Sequence, residues 1–222
     1  MDVAIRGDLA SCLTLRLAPS TWVFAIARGF GEVDGAPIAR AALARFENEC
    51  RRRTRSEARR RRLLRSHVAA GVLCGALARV NNALYLRTAG NDDYVPSACS
   101  LSAALVVRNR AYVAHAGSTA VYLVHRNDVL ALTGTDAFDD GMQQPVLARA
   151  LGIEPALNFA VSSIALESGD VLAFCPRADG PEQHALRVGY EASDDVWSLP
   201  LQRPRSHRLR SWLTSLLRGR TR

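Results

Sequence analysis

Lysine and long apolar segments are both absent from this sequence. All 29 basic residues are arginine. No run of about 18 apolar residues occurs, so we expect no membrane-spanning helix. The first residues do not combine a basic segment with an apolar one, so a secretory signal is not expected either. These absences favour a cytoplasmic location.

Paired cysteines and the common catalytic motifs are also missing. The five cysteines are scattered, odd in number and contain no C-x-x-C pair. We therefore expect buried, reduced thiols rather than disulfides or a metal site. No phosphate-binding P-loop, no G-x-G-x-x-G fingerprint and no Ser-His-Asp order stands out, which removes the most recognisable nucleotide-binding and hydrolase classes.

The basic residues are concentrated in two segments. Residues 51–65 hold nine arginines against one glutamate, and residues 203–222 hold seven arginines and no acid. Without these segments the remaining residues carry a net charge of −7, against +8 for the whole chain. A nucleic-acid-binding core would spread basic residues over a docking face, so nucleic acid is not an expected partner. Segment 51–65 fits either a solvated helix end or a basic appendage that meets phosphate, anionic lipid or an acidic partner.

Length and hydrophobic periodicity predict one α+β domain over residues 1–202, with the Arg-rich helical segment 51–65 inside it and a basic tail over 203–222. The apolar run Thr21–Ala27 predicts a buried strand, and two helices follow it, one from Ala36 and one over about Leu63–Leu86. A short helix is predicted over Pro145–Leu151. The later strands are predicted at Leu101–Arg108, Ala111–His115, Ala120–His125, Val129–Leu132, Leu157–Leu166, Val171–Cys175 and Asp195–Leu201.

Segments in this order resemble the metal-dependent serine/threonine protein phosphatases of type 2C, the PPM family. The stretch "VFAIARGFGEVDGAPIAR" resembles the family's apolar strand, Asp-Gly-x-Gly-Gly turn and following helix. "ALARVNNALY" resembles the end of its second helix, and "AYVAHAGSTAVYLVH" resembles its "vahvGDSRaYl" strand. "VLARALG", "ALESGDVLAFCPRADG" and "SDDVWSLPL" resemble three later segments. The resemblance covers roughly residues 15–201 and implies a β-sandwich of two antiparallel sheets flanked by helices.

The same resemblance implies a reaction that needs many carboxylates. The family holds two Mg²⁺ or Mn²⁺ ions between its sheets, and a metal-bound water attacks the phosphorus of the substrate. Hard cations of this kind require several oxygen ligands, which in the family are mostly aspartates. The metal-site positions can therefore be compared one by one with this sequence.

Most of the family's metal-site aspartates are replaced in this chain. The Asp of the first turn corresponds to Arg28, whereas the glycine that offers its carbonyl is kept as Gly29. The Asp of Gly-Asp-Ser-Arg corresponds to Ser118, and the Asp of Cys-Ser-Asp-Gly corresponds to Arg177. Only the closing aspartate is retained, as Asp194. These are too few carboxylates for two divalent cations.

We interpret the chain as a pseudophosphatase that needs no metal cofactor. Arg28 is expected to fill the vacated metal position and to pair with carboxylates such as Asp194. Arg28 and Arg177 could then hold a phosphoryl group without catalysis. An alignment with a two-residue insertion places Asp179 at a metal-site position instead. It leaves open the alternative of a weak or atypical phosphatase that uses Asp179 and Asp194 with Mg²⁺ or Mn²⁺.

As a pseudophosphatase, the protein would be a binding or regulatory module of bacterial Ser/Thr phospho-signalling. Its expected partner is a Ser/Thr kinase or another phosphoprotein. Its tail places an apolar stripe on one helical face, bracketed by arginines. That stripe either packs on its own domain or binds an acidic groove or an anionic membrane, which would give a peripheral membrane location. The stripe includes Trp212, Leu213, Leu216 and Leu217.

Two groups of titratable residues are interpreted as structural. His115 and His125 lie in predicted strands, where a satisfied histidine is more common than a catalytic acid. Asp136, Asp139 and Asp140 are expected to form a solvated loop rather than a cation site.

Overall fold

The structure is a computed structural model that describes residues 10–30, 35–56, 61–63, 65–89, 98–125, 128–134, 136–138, 146–176 and 197–200. The strands are β1 (Ala10–Ala18), β2 (Thr21–Phe30), β3 (Ala98–Val107), β4 (Arg110–Ala116), β5 (Ala120–His125), β6 (Asp128–Ala131), β7 (Ala137–Phe138), β8 (Val146–Leu147), β9 (Val161–Ala165), β10 (Val171–Cys175) and β11 (Trp197–Pro200). The helices are α1 (Ala36–Arg53) and α2 (Ser66–Thr88). The tail 203–222, with Trp212, Leu213, Leu216 and Leu217, lies outside these ranges.

Two antiparallel sheets form the centre of the fold. The first has the strand order β1-β2-β3-β4-β9, and the second has the order β11-β10-β5-β6. Residues alternate along β2 between the two faces of the first sheet, as a period of two requires. Val23, Ala25 and Ala27 belong to the core shared with the helices, whereas Phe24 and Ile26 belong to the core between the sheets. The predicted two-sheet α+β sandwich is thus confirmed.

The two helices cover the outer face of the first sheet. Pro37 stands in the first turn of α1, where its missing N–H leaves no bond unmade. Arg53, in the last turn of α1, donates a hydrogen bond to the Gly75 carbonyl on α2 at 3.1 Å. A side chain at Gly75 would collide with that guanidinium, so the glycine allows the two helices to meet here.

Helix α2 is apolar as well as long. By length and composition alone, Ser66–Arg87 could cross a membrane, with a mean hydropathy of 1.2 in its most apolar window. Long core helices pass the same test. Leu73, Leu77 and Val80 are fully buried against the first sheet and α1, and this packing accounts for the apolar composition.

Several predicted elements differ from the structure. Strand β1 was not predicted, and it pairs with β2 along its length. The helix predicted over Pro145–Leu151 is wrong. Leu151 instead forms a bridge with Cys99, and Ala148 donates its N–H to the Asp136 carbonyl at 2.7 Å. These distant partners take the backbone groups that a helix would have used.

The Arg-rich segment 51–65 is also not one continuous helix. Helix α1 ends at Arg53, and Thr54 caps it by donating its hydroxyl to the Cys50 carbonyl at 2.7 Å. Helical conformation returns only at 61–62 in the described part of the segment, and α2 begins at Ser66 rather than Leu63.

Candidate functional site

Two closely packed glycines stand where β2 ends and α1 begins. A side-chain carbon at Gly29 would collide with the Gly35 carbonyl, and one at Gly35 would collide with the Gly29 carbonyl. Glycine at both positions therefore lets the start of α1 touch the end of β2. The Gly35 carbonyl accepts the N–H of Ala39 at 3.0 Å, which starts the helix.

Arg28 lies on the face of β2 that looks toward the second sheet. It follows Phe24 and Ile26 at a spacing of two, and both of those side chains are in the core between the sheets. Its guanidinium carbon is 5.2 Å from the centre of the Phe30 ring, which is a cation–π contact. Arg28 is half-buried and pairs in register with Ser100 on β3.

Buried hydroxyl groups stand beside Arg28. Ser118 donates its backbone N–H to the Ser100 hydroxyl at 2.9 Å, and the two hydroxyl oxygens are 3.4 Å apart. Gly117 has a φ of 96°, and a side chain there would collide with Ser100. We call the set of Arg28, Gly29, Gly35, Ser100 and Ser118 the inter-sheet corner.

Asp136 connects Gly117, which precedes Ser118 of the inter-sheet corner, with Arg149 in the segment before β9. Its carboxylate accepts the N–H of Gly117 at 3.0 Å and lies 3.4 Å from the Arg149 guanidinium. Its backbone N–H donates to the Gly117 carbonyl at 3.2 Å. The expectation that Asp136 is a solvated loop residue is wrong, because only 16% of its side chain is exposed. Asp139 and Asp140 lie outside the described residues.

His115 completes this cluster from β4. Its Nε2 is 3.9 Å from the Asp136 carboxylate, and 17% of its side chain is exposed. Burial lowers the pKa of His115 below its usual value, because a charged imidazolium loses its hydration there. The Asp136 carboxylate opposes that change in pKa, and Arg149 reinforces it. The interpretation of His115 as structural agrees with these contacts.

Solved structures with the same arrangement of sheets and helices come from bacterial phosphatases. The S. agalactiae serine/threonine phosphatase is 15% identical, with a TM-score of 0.63 over 78% of this chain and 75% of that one. The chain has the type 2C phosphatase fold. The resemblance inferred from the sequence segments is confirmed at the level of the fold.

Two further structures support the same fold. PppA, described as a key regulatory component of the T6SS in Pseudomonas aeruginosa, is 17% identical, with a TM-score of 0.56 over 83% of this chain and 86% of that one. The Mycobacterium tuberculosis serine/threonine phosphatase PstP/Ppp is 20% identical, with a TM-score of 0.54 over 81% and 85%. No family profile matches the sequence, and no curated protein sequence matches it significantly.

The described residues of this type 2C fold do not fit a pair of divalent cations. Within those residues, no three His, Cys, Asp or Glu side chains lie close enough together to hold a metal ion. Both oxygens of Asp136 already have partners, because one accepts the Gly117 N–H and the other accepts from the Arg149 guanidinium. Arg177, Asp179 and Asp194 lie outside the described residues, so the predicted pairing of Arg28 with Asp194 stays a prediction.

Two structural contacts of the type 2C fold were missed by sequence reasoning. Asp170 is buried and lies 2.6 Å from Nδ1 of His125, while its second oxygen accepts the Glu167 N–H at 2.7 Å. The turn Glu167–Asp170 was visible in the sequence, but its partner is 45 residues away. Asn81 is the other case: its amide holds the Gly152 N–H and the Glu154 carbonyl, each at 2.9 Å.

The cysteines were predicted correctly as unpaired thiols. All five are free, and Cys50, Cys99 and Cys175 are buried. Burial raises the pKa of Cys50 and of Cys99 to about 12, because a thiolate would be left without hydration. Thiols of this kind are poor nucleophiles, so they add no chemistry to the inter-sheet corner.

Proposed function

We propose that this protein is a pseudophosphatase, with the type 2C fold but without metal-dependent hydrolysis. The observation that carries the proposal is the side chain of Arg28. It lies on the inter-sheet face, beside the buried Ser100–Ser118 pair. On the family resemblance, this position corresponds to an aspartate that contacts both metal ions in active members. A guanidinium at that place repels a divalent cation, and hydroxyl groups do not neutralise the charge of one.

The proposed role is that of a binding or regulatory module in bacterial Ser/Thr phospho-signalling. Support comes from the solved structures that share the fold, which include serine/threonine phosphatases and PppA. A domain that keeps the sheets and helices of the fold but lacks the metal ligands retains a surface that can bind phosphoproteins or kinases. The partner class we propose is therefore a Ser/Thr kinase or its phosphorylated substrate, met in the cytoplasm.

Metal binding and turnover together test the proposal. We expect calorimetric titration with Mn²⁺ to show no binding at the inter-sheet corner. The rate of p-nitrophenyl phosphate hydrolysis in Mn²⁺ should not exceed the rate measured in buffer without the protein.

The alternative, a weak phosphatase that uses Asp179 and Asp194, predicts the opposite result. Turnover that depends on Mn²⁺ and disappears in Asp194→Ala would overturn the pseudophosphatase proposal. Asp195→Ala is the matched control, because it removes a neighbouring carboxylate to which neither hypothesis gives a role.

A further inference from the structure

Arginines from separate parts of the sequence meet at the end of the molecule opposite the inter-sheet corner. The β1–β2 and β3–β4 turns lie side by side there, because the Arg108 N–H donates to the Ser20 carbonyl at 2.8 Å. Strand β2 runs from this end to Arg28, and the start of α2 lies near this end again. The Ser66 hydroxyl at the start of α2 is 3.3 Å from the Tyr112 hydroxyl on β4.

We call the exposed arginines of the β3–β4 turn and of the described part of the α1–α2 junction the basic pole. Two of them, Arg108 and Arg110, belong to the β3–β4 turn. The other exposed arginines belong to the α1–α2 junction and are Arg51, Arg52, Arg55, Arg61, Arg62 and Arg65. No single stretch of sequence contains the whole set.

Among the described residues, this end of the molecule has fewer acidic residues than arginines. Glu47 accepts a hydrogen bond from Arg51 at 2.9 Å, and Glu49 accepts one from Arg52 at 3.0 Å. Asp128 and Glu167 are exposed at the same end on the second sheet, and the buried Asp170 is bonded to His125. The basic pole therefore keeps a positive excess after its acids are counted.

Favourable interaction with the helix dipole explains only part of this excess. Arg51 and Arg52 stand in the last turn of α1, where cations stabilise a helix. The same effect does not apply to Arg62 and Arg65, which precede α2, or to the β3–β4 turn. Like charges at such density lower the stability of the fold, so an outside anion that relieves the repulsion gains binding energy.

We propose that the basic pole docks on an anionic lipid surface. The pole is built from turns and helix ends, so it presents guanidinium groups from several elements to a broad surface, and each can bind phosphate bidentately. Beside it, Arg16 lies over the half-exposed Trp22 ring at 5.4 Å, and such amphipathic rings suit the bilayer interface. Residues outside 51–65 and 203–222 carry a net charge of −7, so an anionic surface orients the molecule with this pole toward it.

Vesicle binding by the full chain tests this proposal. Sedimentation with phosphatidylcholine vesicles that contain phosphatidylglycerol should retain the protein, and vesicles of phosphatidylcholine alone should not. The double variant Arg62→Gln/Arg110→Gln takes one arginine from each part of the pole. We expect about thirtyfold weaker partitioning, because each arginine near an anionic surface contributes roughly fivefold.

Arg40→Gln/Arg45→Gln is the matched control, because both exposed side chains lie earlier on α1 and the change in net charge is the same. It should weaken binding less than about threefold. All these proteins carry the tail, so binding through the tail alone would leave the two variants equal and would overturn the proposal. Absence of vesicle binding by the natural chain would overturn it too, as would tighter binding to an RNA or DNA fragment than to anionic vesicles.

Discussion

Arg28 places a guanidinium in the inter-sheet corner, and the pseudophosphatase proposal rests on its positive charge. Arg28 contacts Phe30 through a cation–π interaction, and its neighbours Ser100 and Ser118 bond to each other. Neither a guanidinium nor these two hydroxyl groups supplies the carboxylate oxygens that divalent cations of this kind require.

Restoring one aspartate is therefore expected to be insufficient. We predict that Arg28→Asp does not create phosphatase activity, because on the family resemblance Ser118 and Arg177 also correspond to aspartates. The measurement is hydrolysis of p-nitrophenyl phosphate in Mn²⁺, with circular dichroism to show that the variant folds. Strong Mn²⁺-dependent turnover in this single variant would mean that fewer ligands were lost than we infer.

We predict that His115 makes the folding stability of the protein decrease as the pH falls below neutrality. Burial lowers its pKa from the usual 6.5, so the unfolded chain binds a proton more readily than the folded one. The contribution of His115 is complete above about pH 6.5 and is lost as pH falls through the interval down to the folded-state pKa, by at most about 1.4 kcal/mol per pH unit. His115→Gln should remove that part of the acid loss.

Urea unfolding between pH 7 and pH 5 measures the effect of His115. The control is His67→Gln, because His67 is exposed at the start of α2. If both variants lose stability with pH as steeply as the natural chain does, His115 is not the group responsible.

At the scale of elements, one buried side chain on α2 holds a loop that no regular pairing holds. Asn81 is 1% exposed, and its amide accepts the Gly152 N–H and donates to the Glu154 and Pro155 carbonyls. This loop follows Leu151, whose bridge to Cys99 lies beside the inter-sheet corner. Helix α2 therefore positions the segment that was predicted, wrongly, to be a helix.

We predict that Asn81→Ala lowers the free energy of unfolding by about 2–3 kcal/mol, because it leaves the buried Gly152 N–H without an acceptor. Asn82→Ala is the matched control, since Asn82 is exposed on the same helix, and it should change stability by less than about 0.5 kcal/mol. Chemical denaturation of the three proteins gives both values. Equal effects of the two substitutions would show that the loop is held by other contacts.

For the whole molecule, the main feature is the separation of two ends. The inter-sheet corner lies where β2 ends and α1 begins, and the basic pole lies where α1 ends and α2 begins. Charge repulsion within the basic pole acts over long distances, between arginines of different elements. Its effect on stability is therefore a property of the whole molecule.

We predict that the melting temperature rises by about 2–4 °C when sodium chloride is raised from about 0.05 M to about 0.5 M, because salt screens that repulsion. The rise should be smaller in Arg62→Gln/Arg110→Gln than in Arg40→Gln/Arg45→Gln. Differential scanning fluorimetry measures it. A melting temperature that falls with salt would show that attractive pairs such as Arg51–Glu47 outweigh the repulsion.

The sequence by itself determined the type of fold. Strand β2, the two helices and most of the later strands were predicted within a few residues, since their apolar periods are local properties of the chain. The order of segments also aligns Arg28, Gly29 and Ser118 with the family's metal positions, and this alignment stays a prediction. Such comparisons need only residue identity and order.

Only the tertiary structure decided what those residues contact. Three findings depend on partners that are distant in sequence. They are the burial of Asp136, the hydrogen bonds of Asn81 to the loop after Leu151, and the bridge that Leu151 forms in place of the helix predicted over Pro145–Leu151. The basic pole depends on the packing of α2 on the first sheet, which brings Ser66 at the start of α2 to Tyr112 on β4. No local sequence pattern predicts such long-range contacts, because backbone and side-chain groups acquire these partners only when the sheets and helices pack together.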